Sequence, residues 1–159
     1  MPDKAAPAVA RFLEDFQVGE TWTSREVVLS EEDIIRFGRE NDPQPIHTDP
    51  AAATNSRFGG VIASGWQIAV LSMRLFVEAG GYGKTPMVGL GIDELRWRQI
   101  VRPGDRLRVE RKVIEVRRSK SRPQFGVIRT LVTATNQNSE AVMTLVSAGQ
   151  VPARSTAGD

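Results

Sequence analysis

Residues 65–79 limit the possible folds of this chain most strongly. If they form a helix, apolar side chains lie on nearly every face of it. Only Gln67, Arg74 and Glu78 align along the predicted helix, and they form a narrow polar stripe. A helix that is apolar on most sides is buried in a core. We therefore expect the rest of the chain to wrap around residues 65–79, with Gly80 and the glycines after it ending the helix.

Four segments with the composition of β-strands follow this helix, separated by polar turns. They are residues 87–101, 107–116, 125–135 and 141–151. Their order predicts an antiparallel meander. In the first segment the apolar positions change phase after Ile92, which predicts a bulge near Asp93 and Glu94.

The N-terminal half predicts one strand and two helices before the apolar helix. Residues 21–29 have the β-branched and aromatic content of a strand, and Ser30 is a good N-cap for a helix over about residues 31–40. Thr48 or Asp49 can cap a short helix at 50–53. Helices followed by antiparallel strands predict an α+β fold, with one domain over 12–151 and flexible tails at 1–11 and 152–159.

The composition is that of a folded single domain, with 159 residues, 40% of them hydrophobic and 25% charged. The chain has no cysteine and one histidine. Disulfides and a thiolate nucleophile are therefore excluded, and we expect neither a metal site nor another cofactor. Because no signal peptide or membrane-spanning run is present, we also expect a cytoplasmic protein with no membrane partner.

The net charge of +2 is unevenly distributed along the chain. Residues 1–50 contain 11 acids and 5 bases, a net charge of −6, whereas residues 96–122 contain 11 bases and 3 acids, a net charge of +8. A basic segment favours a polyanionic partner, either nucleic acid or a phosphate-bearing small molecule. A solvated strand face that balances the acidic half is an equally good interpretation. We do not expect nucleic-acid binding, because few aromatic residues are interleaved with the bases.

Residues 41–49, Asn-Asp-Pro-Gln-Pro-Ile-His-Thr-Asp, contain the single histidine. Prolines flank Gln44 on both sides, and proline fixes φ and removes a backbone donor, so ordinary helix and central strand are excluded between Asp42 and His47. Such a segment can hold this carboxylate and imidazole so that both act on one water, one accepting a proton and the other donating it. Alternatively, Asp42 forms a cap or Asx-turn and His47 is structural.

A glycine-containing segment, Gly-Gly-Val-Ile-Ala-Ser-Gly at residues 59–65, leads into the apolar helix. The first N–H groups of a helix have no partners within the helix. The Gly65 N–H can therefore polarise a carbonyl oxygen, as in an oxyanion hole. Alternatively, Gly65 is only a small residue that packs against the sheet.

Together these motifs resemble the signature of the MaoC-like dehydratase family, which includes the (R)-specific enoyl-CoA hydratases. The resemblance rests on residues 42–50, 58–60 and 62–65, and it extends to the turn at 101–105. It implies a hotdog fold, in which a strongly bent antiparallel sheet wraps around a long central helix. It also implies a homodimer or a higher even oligomer.

The resemblance further implies reversible hydration of a trans-2-enoyl thioester to an (R)-3-hydroxyacyl thioester, with an acyl-CoA as substrate. Asp42 and His47 would then activate the water, and the Gly65 N–H would polarise the thioester carbonyl. The side chains and backbone expected to contact the substrate belong to Gln44, Ser64, Phe58, Gly60, Trp66, Arg96 and Arg98. Arg57 and Arg102 are further candidates for phosphate contacts.

Two positions depart from the family pattern. Gln44 stands where Asn is usual, and Ser64 precedes the helix glycine where His is common. Neither change removes an acid, a base or a donor, so both bear on substrate range more than on reaction type. A hotdog acyl-CoA thioesterase and a non-catalytic acyl-CoA-binding dimer are the alternatives. The pairing of Asp42 with His47 favours hydration, because a two-group proton relay suits addition across a C=C bond.

Overall fold

The computed structural model describes residues 9–155. Its helices are a 3₁₀ turn at Leu13–Asp15, α1 (Glu31–Asn41), α2 (Pro45–Thr48), α3 (Pro50–Thr54) and α4 (Gly65–Glu78). Its strands are β1 (Thr21–Thr23), β2 (Val27–Val28), β3 (Val88–Trp97), β4 (Arg106–Arg118), β5 (Phe125–Thr135) and β6 (Ala141–Pro152). Helices packed on one antiparallel sheet confirm the predicted α+β class. Within the described residues, no helix has the length and apolar character needed to cross a bilayer.

The six strands form one antiparallel sheet in the order β1-β4-β5-β6-β3, and β2 also pairs with β4. The predicted meander is correct for β4, β5 and β6, but it is wrong for β3, which pairs with β6. Residues 98–105 therefore cross the end of the sheet instead of forming a hairpin turn. From β3 to β4 the chain must cross three strand spacings, about 14 Å. Residues 98–105 can span this distance, because an extended chain covers about 3.3 Å per residue.

Helix α4 packs one face on this sheet. The Ser64 hydroxyl caps its N-terminus by accepting the Trp66 N–H. Its C-terminus ends as predicted, with the Gly81 N–H donating to the Phe76 carbonyl at 2.8 Å and Gly81 in a left-handed conformation. The inward side chains of α4 pack among residues of β4, β5 and β6, and each contributes roughly 1.5–3 kcal/mol through burial. These inward residues are Ile68, Leu71 and Leu75.

The opposite face of α4 is exposed, so the prediction of a helix buried on most sides is wrong. Trp66, Val70, Met73 and Val77 form a continuous apolar stripe along α4 and are 47–61% exposed. The physical reason is that one sheet covers only one face of a helix. Gln67, which was predicted to be part of the polar stripe, is instead buried, and its Nε2 donates to a backbone carbonyl of α1.

Two details of the strands test the sequence patterns. The predicted bulge of β3 is confirmed, because the pairing register shifts between Asp93 and Arg96, and Glu94 has a φ of 53°. The predicted single strand over 21–29 is interrupted between β1 and β2. The cause is Ser24, whose hydroxyl accepts the Val109 N–H and so replaces a carbonyl of the ladder.

The ends of the described chain are tied to the domain by side chains. The Arg11 N–H donates to the Thr85 hydroxyl, and the Arg154 guanidinium pairs with Asp15 at 2.8 Å. The tails predicted at 1–11 and 152–159 therefore include residues that make specific contacts. Their outer parts, residues 1–8 and 156–159, lie outside the described residues.

Candidate active site

Helix α2 carries His47 and packs against α1. Pro45 occupies the first position of α2. The N–H that proline lacks would have no acceptor within the helix at this position. The prediction that ordinary helix is excluded between Asp42 and His47 is therefore wrong for this one-turn helix, which begins at Pro45. A Cβ on Gly38 of α1 would lie 2.9 Å from the His47 carbonyl oxygen, so glycine allows the close approach. Sequence reasoning missed Gly38, although a glycine inside a helical pattern often marks such a contact.

The Asp42 carboxylate and the His47 imidazole face each other. Asp42 is the C-cap of α1, and its Oδ2 lies 3.3 Å from His47 Nε2. His47 Nδ1 lies 2.7 Å from the Ile62 carbonyl oxygen. Because a carbonyl only accepts, Nδ1 carries a hydrogen and Nε2 is directed at Asp42. His47 is 5% exposed, so these two contacts hold the ring in a fixed orientation.

Both oxygens of Asp42 accept hydrogen bonds from side chains that the sequence placed in the site. Gln44 Nε2 donates to Oδ1 at 2.9 Å, and the Ser64 hydroxyl donates to Oδ2 at 2.7 Å. These two bonds, with a further contribution from His47, hold the pKa of Asp42 below its ordinary value of 3.8. Asp42 therefore stays ionised to lower pH than a free carboxyl.

Replacing Gln44 with Leu should raise the pKa of Asp42 toward 3.8, because the hydrogen bond that lowers this pKa most is lost. The depressed pKa stabilises the fold above pH 3.8, and that stability disappears as the pH falls through the folded-state pKa. The variant should therefore lose less stability on acidification than the wild type. A ¹³C NMR titration of the Asp42 carboxyl measures the shift. Gln124→Leu, at an exposed turn, is the control and should leave that titration unchanged.

Gly65 begins α4 beside this pair. Among the described residues its N–H has no hydrogen-bond acceptor. A cavity of about 280 Å³ is lined by His47, Gly65, Trp97 and Arg98, with an apolar wall that includes Ile68. A Cβ on Gly65 would overlap the Trp97 indole. The packing explanation for this glycine is thus correct, and it leaves the N–H free to act as a donor. Sequence reasoning missed Trp97, because its position depends on the bulge in β3.

The other predicted contact residues are spread around the site. Arg98 lines the cavity, and its Nε donates to the Thr144 hydroxyl at 3.0 Å. Trp66 packs edge-to-face on Trp97 at 5.1 Å, and its ring does not line the cavity. Three further residues lie outside the cavity wall. They are Phe58, which stacks under Arg57, Gly60, which lies near Arg102, and Arg96, which bonds the Leu95 carbonyl.

Four of the eleven bases in residues 96–122 pair with acids of this same chain. Arg106 and Arg108 both reach Glu26, at 3.4 and 4.0 Å, and Arg117 reaches Glu115 at 3.2 Å. These ion pairs support the interpretation of a solvated, charge-balanced strand face.

Within residues 9–155, no three His, Cys, Asp or Glu side chains are arranged to bind a metal ion.

The chain matches known proteins over most of its length. Residues 15–136 match the family model of the MaoC like domain. The uncharacterised protein YdeM of Bacillus subtilis is 32% identical over 125 residues, which cover 79% of this chain and 87% of YdeM.

Solved structures agree with that match. The MaoC-like dehydratase from Rhodospirillum rubrum has a TM-score of 0.79 and 37% identity, covering 92% of this chain and all of the other. R-hydratase PhaJ1 from Pseudomonas aeruginosa has a TM-score of 0.68 and 25% identity, covering 90% of this chain and 86% of the other. The chain therefore belongs to the MaoC-like dehydratase family and has the hotdog fold.

Proposed function

We propose that the protein catalyses reversible hydration of a trans-2-enoyl-CoA to the (R)-3-hydroxyacyl-CoA. The observation that carries the proposal is the pairing of Asp42 Oδ2 and His47 Nε2, 3.3 Å apart, beside the cavity that Gly65 lines. The family supplies the hydro-lyase class, and the likeness to R-hydratase PhaJ1 motivates the choice of substrate and stereochemistry. Asp42, His47 and Gly65 are proposed to have the roles that the resemblance implies, and the distances within the site support these roles.

In the proposed reaction the Asp42–His47 pair holds one proton throughout. Water donates a proton to the Asp42 carboxylate as its oxygen bonds to C3, and the imidazolium of His47 delivers its proton to C2. The proton on Asp42 then passes to His47 Nε2, so the pair is restored and one water has been added. The Ile62 carbonyl keeps Nδ1 protonated, so that Nε2 is the atom that exchanges protons.

Addition at C3 also requires the thioester carbonyl to withdraw electrons. The Gly65 N–H at the start of α4 is suited to this step, because it has no acceptor among the described residues and lies at the positive end of the helix. Negative charge accumulates on the carbonyl oxygen as water adds, so this donor binds the transition state more tightly than the substrate. Arg98, at the mouth of the same cavity, is the leading candidate to meet a CoA phosphate.

The test uses crotonyl-CoA and longer trans-2-enoyl-CoAs, with enoyl absorbance and free thiol followed in the same sample. Hydration predicts loss of absorbance without thiol release, and chiral analysis of the product should give the (R) isomer. Thiol release would support the thioesterase alternative and overturn the proposal. If no chain length reacts although the thioesters bind, the result favours an acyl-CoA-binding role or an unfamiliar substrate over hydration of these thioesters.

We also propose that two copies of the chain associate through α4 and β3. The apolar stripe of α4 lies next to β3, an edge strand on which Val88, Leu90 and Ile92 are 53–59% exposed. A long apolar edge strand favours pairing with another chain. A second copy is the natural occupant, because a twofold axis would bring the same stripe and edge together from both chains.

Replacing Val70 with Lys should dissociate the dimer, because a charged side chain would be buried against the partner's apolar stripe. Light scattering coupled to size exclusion should then report a mass near 17.5 kDa instead of twice that value. Val18→Lys is the matched control, since Val18 is an equally exposed valine on a turn far along the chain from α4. A wild-type protein that is itself monomeric at micromolar concentration would contradict the proposed interface.

A further inference from the structure

Arg111 is a buried cation that the proposed reaction does not use. It lies on β4, points to the inner side of the sheet and is 4% exposed. Burying an ionised guanidinium is unfavourable unless an anion or several acceptors compensate it. Arg111 therefore differs from the exposed arginines of the same strand, which pair with Glu26 and Glu115.

The partners of Arg111 are all neutral. Its Nη2 donates to the Tyr82 hydroxyl at 3.1 Å and to the Ser147 hydroxyl at 3.4 Å, and the guanidinium lies 4.3 Å from the centre of the Phe76 ring. The Nε–H is buried and has no acceptor among residues 9–155. Glu20 lies across a small neighbouring cavity, but its carboxylate is bound by Arg11 at 2.8 Å. Within the described chain, no carboxylate therefore neutralises Arg111.

A larger cavity opens next to this guanidinium, between the C-terminal half of α4 and strands β3 and β6. Its volume is about 420 Å³, within the range of small-molecule sites. Arg111 and the hydroxyl-bearing Tyr82 and Ser147 line one end, and Met73, Val77 and Ile92 line an apolar wall. Glycines of β3 and β6 complete the lining and keep the space open.

We propose that this cavity binds a carboxylate on an apolar chain, with the carboxylate at Arg111 and the chain along the apolar wall. A guanidinium offers paired N–H donors that match a carboxylate, and Arg111 lines this cavity without a carboxylate partner among the described residues. The cavity is separate from the catalytic one. Gly65 and Phe76 are eleven residues apart on α4, which corresponds to about 16 Å.

The carboxylate has two possible sources. It is either a free monocarboxylic acid or the distal carboxylate of the acyl group in a CoA thioester. The second source rests on the proposed function, whereas the first does not. Met73, Val77 and Ile92 also belong to the proposed dimer face, so association of two chains would cover the open side of the cavity. The experiments therefore use the full chain in its native oligomeric state.

The first experiment measures calorimetric binding of straight-chain carboxylates from acetate to octanoate and of the matching neutral amides. We expect affinity to rise with chain length and the carboxylates to bind at least tenfold more tightly than the amides. Arg111→Met should abolish that preference, whereas Lys112→Met, on the exposed face of the same strand, should preserve it. Equal binding of acid and amide would overturn the proposal. The proposal would also be overturned if no carboxylate binds at millimolar concentration and the thioester experiment described below is negative as well.

The wild type alone also provides a test, in case Arg111→Met does not fold. Octanoate should shift the side-chain Nε–H resonance of Arg111 in ¹⁵N NMR spectra, and octanamide should not. An unshifted Arg111 resonance at saturating octanoate would show that the carboxylate binds elsewhere, which contradicts the proposal.

The second experiment distinguishes the sources with two saturated thioesters whose binding requires no turnover, hexadecanedioyl-CoA and palmitoyl-CoA. Their extended acyl chains are long enough to span about 16 Å along α4. If the carboxylate is part of the acyl group, Arg111→Met should weaken hexadecanedioyl-CoA binding at least tenfold and leave palmitoyl-CoA binding unchanged. If it comes from a separate acid, octanoate should still bind in the presence of saturating hexanoyl-CoA. If the protein proves not to be a hydratase, the octanoate result still stands. The two proposals can therefore be disproved separately.

Discussion

Replacing Asp42 with Asn, or His47 with Ala, should lower kcat for enoyl-CoA hydration by about 10²–10⁴-fold. Each substitution removes one member of the proposed catalytic pair, in which Asp42 Oδ2 and His47 Nε2 lie 3.3 Å apart. KM should change little, because neither group is proposed to bind the CoA moiety. Steady-state kinetics with crotonyl-CoA measures both constants. Since the two groups are proposed to act on one water, the double variant should be about as slow as the slower single variant.

The matched control is Asp49→Asn, in the same segment. Asp49 caps α3 by accepting the N–H groups of Ala51 and Ala52, and Asn caps equally well, so stability and kcat should both be retained. A near-wild-type kcat in either Asp42→Asn or His47→Ala, with circular dichroism showing an intact fold, would remove that residue from the mechanism. Multiplicative losses in the double variant would show that the two groups act in separate steps.

Replacing Gly65 with Ala should destabilise the protein by about 1–3 kcal/mol, the usual range for overpacking a filled site. The added Cβ would overlap the Trp97 indole, so the ring or the start of α4 must move. Because that movement also displaces the proposed donor from the thioester oxygen, we expect kcat to fall by about 10²-fold or more. Urea denaturation and steady-state kinetics measure the two effects.

A double variant separates packing from catalysis. Trp97→Ala removes the obstructing ring, so Gly65→Ala should cost much less stability in that background than in the wild type. Gly60→Ala is the stability control, because the nearest atom to its added Cβ is Arg102 Nη1, 4.0 Å away. If Gly65→Ala is as stable and as active as the wild type, both the close contact with Trp97 and the proposed oxyanion role are wrong.

Local sequence patterns predicted the elements that carry the candidate site. Ser30 caps α1 as predicted, and α3 is capped by Asp49, one of the two candidates that the sequence offered. These predictions succeed because a cap depends on residues only two or three positions away. The same locality explains the error at α2. Proline excludes a helix interior, but a one-turn helix can begin with Pro45, and packing on Gly38 favours that choice.

The non-local features could not be predicted in the same way. A strand pattern does not specify its neighbour, so β3 was expected beside β4 and lies beside β6. Burial on α4 was overestimated for a related reason. The apolar stripe that includes Val70 and Met73 is a surface that this chain alone does not cover. Periodicity identifies apolar positions, but it does not say whether the same chain or another one buries them.

The sequence by itself determined that one acid and the single imidazole lie on a rigid segment, and that a helix start with a free Gly65 N–H follows. These features depend on spacing and on proline, glycine and capping chemistry. Only the tertiary structure decided that His47 Nδ1 is held by the Ile62 carbonyl, that Trp97 covers Gly65, and that Arg111 is buried without a carboxylate. Those contacts join residues far apart in the chain, where strand order and packing determine which groups meet.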